Sequence, residues 1–137
     1  MYLPKFRQVH QRPMSVMDTA LSMMLQLENA ACPMKVQMQL DLALEEIFVN
    51  IANYAYAPEK GMAIIGIDIT EDRQAVLTFE DSGTPYDPLA REDPDITLSA
   101  NDRQIGGLGI FMVKKTMDDM YYEYRNGKNI LKLRKSL

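Results

Sequence analysis

The sequence predicts a two-layer α+β sandwich, with helices covering one face of a mixed, mainly antiparallel sheet. Two observations carry this. Apolar residues recur at helical spacing through the first 57 residues, then switch to strict alternation beyond Gly61. An Asn126-Gly127 pair near the C-terminus is flanked by residues that alternate on both sides, which marks a hairpin. The chain of 137 residues fits one domain spanning 1–137, large enough to bury a core without cross-links.

Residues 2–11 are short and partly aromatic or β-branched, and are expected to form an edge strand. Ser15 and Asp18 stand as in a capping box and open a helix to about Asn29, with Met17, Leu21, Met24 and Leu25 as its expected buried stripe. After Pro33 a longer helix runs to about Ala57. Its residues Leu40, Leu44, Ile47, Phe48, Ile51 and Ala55 share one sector of a 3.6-residue wheel. Ile65, Ile67 and Ile69 then alternate with Gly66, Asp68 and Thr70, and after a polar turn at 71–74 Ala75, Leu77 and Phe79 do the same. Residues 86–105 are long, polar and aperiodic, with Pro88 and Pro94, and are expected to form a lid or binding loop. A third helix over about 107–118 precedes the hairpin, in which Tyr122 should face Leu131 and Met120 should face Leu133.

Composition excludes several classes of function. A formal net charge of −4 with dispersed basic residues argues against nucleic acid as a main partner. No apolar run approaches the roughly 20 residues of a membrane span, and nothing at the N-terminus reads as a signal peptide. The one cysteine, Cys32, excludes an internal disulfide and fits a cytoplasmic location. His10 is the lone histidine, so a His-based metal site is not expected, and Ser82 has no histidine base nearby for a hydrolase triad.

Three segments carry chemistry. Glu46, Asn50 and Asn53 fall at i, i+4 and i+7 of one helix and form a polar strip, with Glu45 on the opposite flank. An amide oxygen on Asn50 can ligate Mg²⁺, and Glu46 one turn away could accept a proton from an attacking hydroxyl. In isolation such a pair is more often a solvated helix face. Asp81 continues the inward series of Ala75, Leu77 and Phe79, so its strand sends a carboxylate toward the core, where it needs a donor. An adenine amino group would serve, and Gly83 would let the backbone approach a flat base; the alternative is a simple turn at a strand end. Gly106, Gly107 and Gly109, with Leu108 between, open a helix whose free N–H groups favour phosphate, or else form a hinge with tight packing. Neither a P-loop nor a dinucleotide fingerprint fits, because the required lysine and βαβ unit are missing.

Glu46-x-x-x-Asn50, Asp81-x-Gly83-x-Pro85 and Gly106-Gly107-Leu108-Gly109 resemble the N, G1 and G2 boxes of the GHKL ATPase superfamily. Within it, 42–56, Thr84-Pro85-Tyr86-Asp87 and 107–119 look like the anti-sigma-factor serine kinases of partner-switching systems. The resemblance implies the Bergerat fold, ATP and Mg²⁺ beneath a lid, and serine-kinase activity. By motif position Glu46 would be the catalytic base and Asn50 the Mg²⁺ ligand. Asp81 would bind the adenine amino group beside Gly83 and Pro85, while Asn53, Gly106, Gly107, Leu108 and Gly109 would complete the nucleotide site. Arg103 would be the lid residue reaching phosphate. Expected partners are a STAS-domain antagonist, phosphorylated on serine, and a sigma factor, with a homodimer possible. The chain departs from the family at Tyr54-Ala55-Tyr56, where His-Gly-Tyr is frequent, and in an acidic lid with Asp87, Glu92, Asp93 and Asp95. The alternative is an ATP-binding interaction module without phosphotransfer. An excised histidine-kinase catalytic domain is a further rival, but His10 lies in no long amphipathic helix.

Overall fold

The computed structural model describes residues 6–9, 16–51, 63–90 and 108–137. Strand β1 (Phe6–Val9) is followed by helices α1 (Val16–Asn29) and α2 (Met34–Asn50). Strands β2 (Ala63–Ile69) and β3 (Gln74–Asp81), helix α3 (Leu108–Thr116) and strands β4 (Asp119–Arg125) and β5 (Lys128–Ser136) complete the order. The strands form one sheet in the order β1-β2-β3-β5-β4, with β1 and β4 at the edges. Every one of these pairings is antiparallel, so the partly mixed pairing expected from sequence is absent among the described strands.

Alternation builds the sheet's inner face. Ile65, Phe79 and Leu131 lie side by side across β2, β3 and β5, and Ile67, Leu77 and Leu133 form the next row. All six are buried and pack in one cluster with Leu40, Ala43, Leu44 and Ile47 of α2 and with Ile110 and Val113 of α3. The same face continues outward to Asp81 and Asn129, which are paired in register and both buried. Asn126 at φ 54° and Gly127 at φ 75° make the β4–β5 turn in the left-handed region that a type I′ hairpin requires. Tyr122 does face Leu131, and Met120 faces Leu133.

Helix α1 corrects the sequence reading. Among its described side chains Thr19, Met23 and Leu27 are buried and Met24 is half-buried, whereas Leu21 and Leu25 of the expected stripe are exposed; the Met17 side chain lies outside the description. The segment's apolar side chains cover a sector wider than the buried face, so hydrophobicity alone does not choose the face; packing against α2 does. Its C-terminus is a Schellman arrangement. The Cys32 N–H donates to Leu27 O and the Ala31 N–H to Glu28 O, both at 2.9 Å, with Ala31 at φ 55°. Arg73, in the β2–β3 turn, donates to Ala30 O at 3.1 Å and Ala31 O at 3.3 Å and ties this corner to the sheet.

Helix α2 starts after Pro33 without a side-chain cap, and the buried Gln37 amide donates to Cys32 O at 2.9 Å across the α1–α2 junction. Leu40, Leu44 and Ile47 are buried as expected, and Phe48 and Ile51 pack against the core. The expected extension of this helix to Ala57, the Ser15 cap and most of the lid lie outside the described residues. Among the described residues, no helix is long and apolar enough to cross a membrane.

Candidate functional site

A shallow recess, open to solvent, lies between the C-terminal turn of α2 and the inner face of the sheet at its Asp81 end. Its apolar walls include Ile47, Ile51, Phe79, Pro88, Tyr122 and Leu131, and its polar groups come from Asn50, Asp81, Tyr86 and Asn129. Apolar walls with a few convergent polar atoms suit an aromatic base.

Alternation along β3 delivers Asp81 to this recess, only 6% exposed. Its Oδ1 accepts from the Gly83 N–H and from Asn129 Nδ2, each at 2.9 Å. Both bonds converge on the same oxygen, so Oδ2 is the acceptor left for a ligand. Asn129 also donates to Thr84 O at 3.0 Å, while its Oδ1 accepts from the Tyr86 N–H at 3.1 Å and from the Tyr122 hydroxyl. Burial pushes the Tyr122 phenol above its usual range, which keeps its proton on. The turn after Asp81 is thereby tied to β5, and Asp87 closes the next turn by accepting from the Leu89 N–H at 2.8 Å.

The final turns of α2 supply the opposite wall. Asn50 is 7% exposed, and its Nδ2 donates to Glu46 O at 2.7 Å. That bond uses one of the two amide hydrogens and turns the NH₂ back onto the helix, and Asn50 lines the recess. Glu46 lies one turn earlier and is half-buried, whereas Glu45 is exposed. The start of α3 packs directly on Glu46: a Cβ added to Gly109 would overlap the Glu46 carboxyl group. Glycine at 109 thus makes room for a carboxylate at the N-terminus of α3, which explains at least this glycine by close approach.

The donor set fits Mg²⁺ in a specific way. Among the described residues no three His, Cys, Asp or Glu side chains gather as a metal cluster. A cation at Asn50 would therefore take one amide oxygen from the protein and its other ligands from water and a bound phosphate, as Mg²⁺ commonly does.

The structure thus brings Glu46, Asn50, Asp81, Gly83 and Gly109 to one end of the sheet. Pro85 lies in the loop that Asn129 ties down. Asn53, Arg103, Gly106 and Gly107 lie outside the described residues, and Leu108 begins α3. Sequence reasoning missed Asn129, Tyr122, Tyr86 and Pro88 as parts of the site. The hairpin register puts Asn129 on the same face as Leu131, but its place beside Asp81 comes from the β3–β5 pairing, which no local pattern reveals.

A family model described as a histidine kinase-like ATPase domain matches residues 11–135. The chain belongs to this family. It is 31% identical over 100 residues to the serine/threonine-protein kinase BtrW of Bordetella bronchiseptica, covering 72% of this chain and 70% of that protein. It is also 30% identical over 97 residues to the serine-protein kinase RsbW of Listeria monocytogenes, covering 67% of this chain and 61% of that one. The resemblance to the anti-sigma-factor serine kinases therefore holds at the level of family. The fold is shared with the histidine kinase AdeS of Acinetobacter baumannii, at a TM-score of 0.50 and 16% identity, covering 99% of this chain and 68% of that chain.

Proposed function

We propose that the chain is an ATP-dependent protein-serine kinase that acts as an anti-sigma factor, phosphorylating a STAS-type antagonist and sequestering a sigma factor. The observation that carries this reading is the juxtaposition of the Glu46 carboxylate with Gly109 at the start of α3, one helical turn from Asn50, which lines the recess together with Asp81. A nucleotide whose base lies on Asp81 would extend its phosphates toward the free N–H groups of α3. Asn50 would hold Mg²⁺ through its amide oxygen, and the cation would neutralise charge on the phosphates. Glu46 would orient an incoming serine hydroxyl and take its proton. A pure nucleotide binder has no need of a carboxylate held in that place.

The test is transfer of labelled γ-phosphate from Mg-ATP to a STAS-domain protein encoded beside this gene, followed by mapping of phosphoserine. Glu46→Gln should leave ATP affinity nearly unchanged and lower transfer by about 10²–10⁴-fold, the usual scale for a general base. Asn50→Ala should weaken Mg-ATP binding itself. A wild-type protein that binds ATP and the antagonist without ever labelling it would support an interaction module instead.

A further inference from the structure

Asn129 uses its entire hydrogen-bonding capacity at the floor of the recess. Its two Nδ2 hydrogens go to Asp81 Oδ1 and Thr84 O, and its Oδ1 accepts from the Tyr86 N–H and the Tyr122 hydroxyl. This pattern fixes the orientation of the amide. Flipped, it would set an oxygen against Asp81 Oδ1 and Thr84 O, and an NH₂ against the Tyr86 N–H.

We propose that Asn129, held by Tyr122, is the positioning residue that makes this recess selective for a purine carrying a 6-amino group. The inference rests on the nucleotide-binding reading above and specifies which bases the site accepts. By saturating Oδ1 with donors, Asn129 and Gly83 pin the Asp81 carboxylate and present Oδ2 as a fixed acceptor. A 6-amino group donates to such an acceptor. A 6-carbonyl, as in guanine, would meet oxygen with oxygen, and a buried mismatch of this kind discriminates strongly. Asn129 also grips Thr84 and Tyr86 at the start of the segment that places Pro88 in the wall, so base recognition and wall geometry share one side chain.

The experiment is calorimetric titration of ATP, GTP and the triphosphate of purine riboside, which lacks the 6-amino group, against the wild type, Asn129→Asp and Tyr122→Phe. Asn129→Asp conserves shape but sets a second carboxylate against Asp81, so that the pair tends to share a proton and the fixed acceptor is lost. ATP affinity should fall roughly tenfold or more, while the purine riboside nucleotide changes by less than about threefold. The preference for the amino group thus collapses. Tyr122→Phe should reduce the same preference by a few-fold. Equal losses for ATP and the purine riboside nucleotide would reveal a merely structural role and overturn the proposal, as would an unchanged preference in Asn129→Asp. If that variant does not fold by circular dichroism, Tyr122→Phe decides, and an unchanged preference there overturns it. Failure of the wild type to bind ATP would instead sink the nucleotide reading on which the inference rests.

Discussion

Gly109 is the residue at which sequence, packing and chemistry meet most closely. Any side chain there would displace the Glu46 carboxyl group, the far end of a flexible, half-buried side chain. Gly109→Ala should therefore change stability little, within roughly 1 kcal/mol, because only that carboxyl must move and alanine favours the helix. Phosphotransfer should fall on the order of 10²-fold, the scale of an ångström-sized misplacement of a reacting group. Denaturant midpoints paired with a labelled-phosphate assay check both halves; full transfer in the variant would remove Glu46 from the reaction. The residues of this site differed in how readable they were. Glu46 and Asn50 could be placed because a helix repeats every 3.6 residues, and Asp81 because a strand alternates. Asn129 follows a turn with no unusual chemistry in its neighbourhood, and its importance arises only from pairing with a residue 48 positions earlier in the chain.

Among the elements, β2, β3 and the β4–β5 hairpin were the most legible, since period-two alternation leaves one choice of buried face. The face of α1 was not legible. Its apolar residues spread over a sector wider than the buried face, and contact with α2 selects Thr19, Met23 and Leu27. Its C-terminus was equally hidden, because Ala31 occupies the left-handed position where glycine is usual, and Arg73 supports it from another element. Ala31 is exposed, so no core packing opposes a change there. Ala31→Gly should stabilise the fold by up to about 1 kcal/mol, the relief of left-handed strain less glycine's extra chain entropy. Thermal unfolding of the two proteins would show it, and a lower midpoint for the variant would mean that this corner is not strained.

At the scale of the whole molecule, the fold converts three distant stretches of sequence into one site. The core cluster fixes α2 and α3 on the inner face of the sheet, and the end of that face, where hydrophobic rows give way to Asp81 and Asn129, becomes the floor of the recess. This placement was expected from the order of the motifs, but its polar network depends on cross-strand register that no local pattern encodes. The central claim is that the recess is a nucleotide site read by Asp81. Calorimetry with Mg-ATP on the wild type and on Asp81→Asn tests it most directly. The substitution retains size but replaces the carboxylate that Gly83 and Asn129 hold, and a mismatched buried polar pair costs about 1–3 kcal/mol. Saturable binding by the wild type, weakened roughly tenfold or more in the variant, is the expected result. Equal affinities in the two proteins would contradict it.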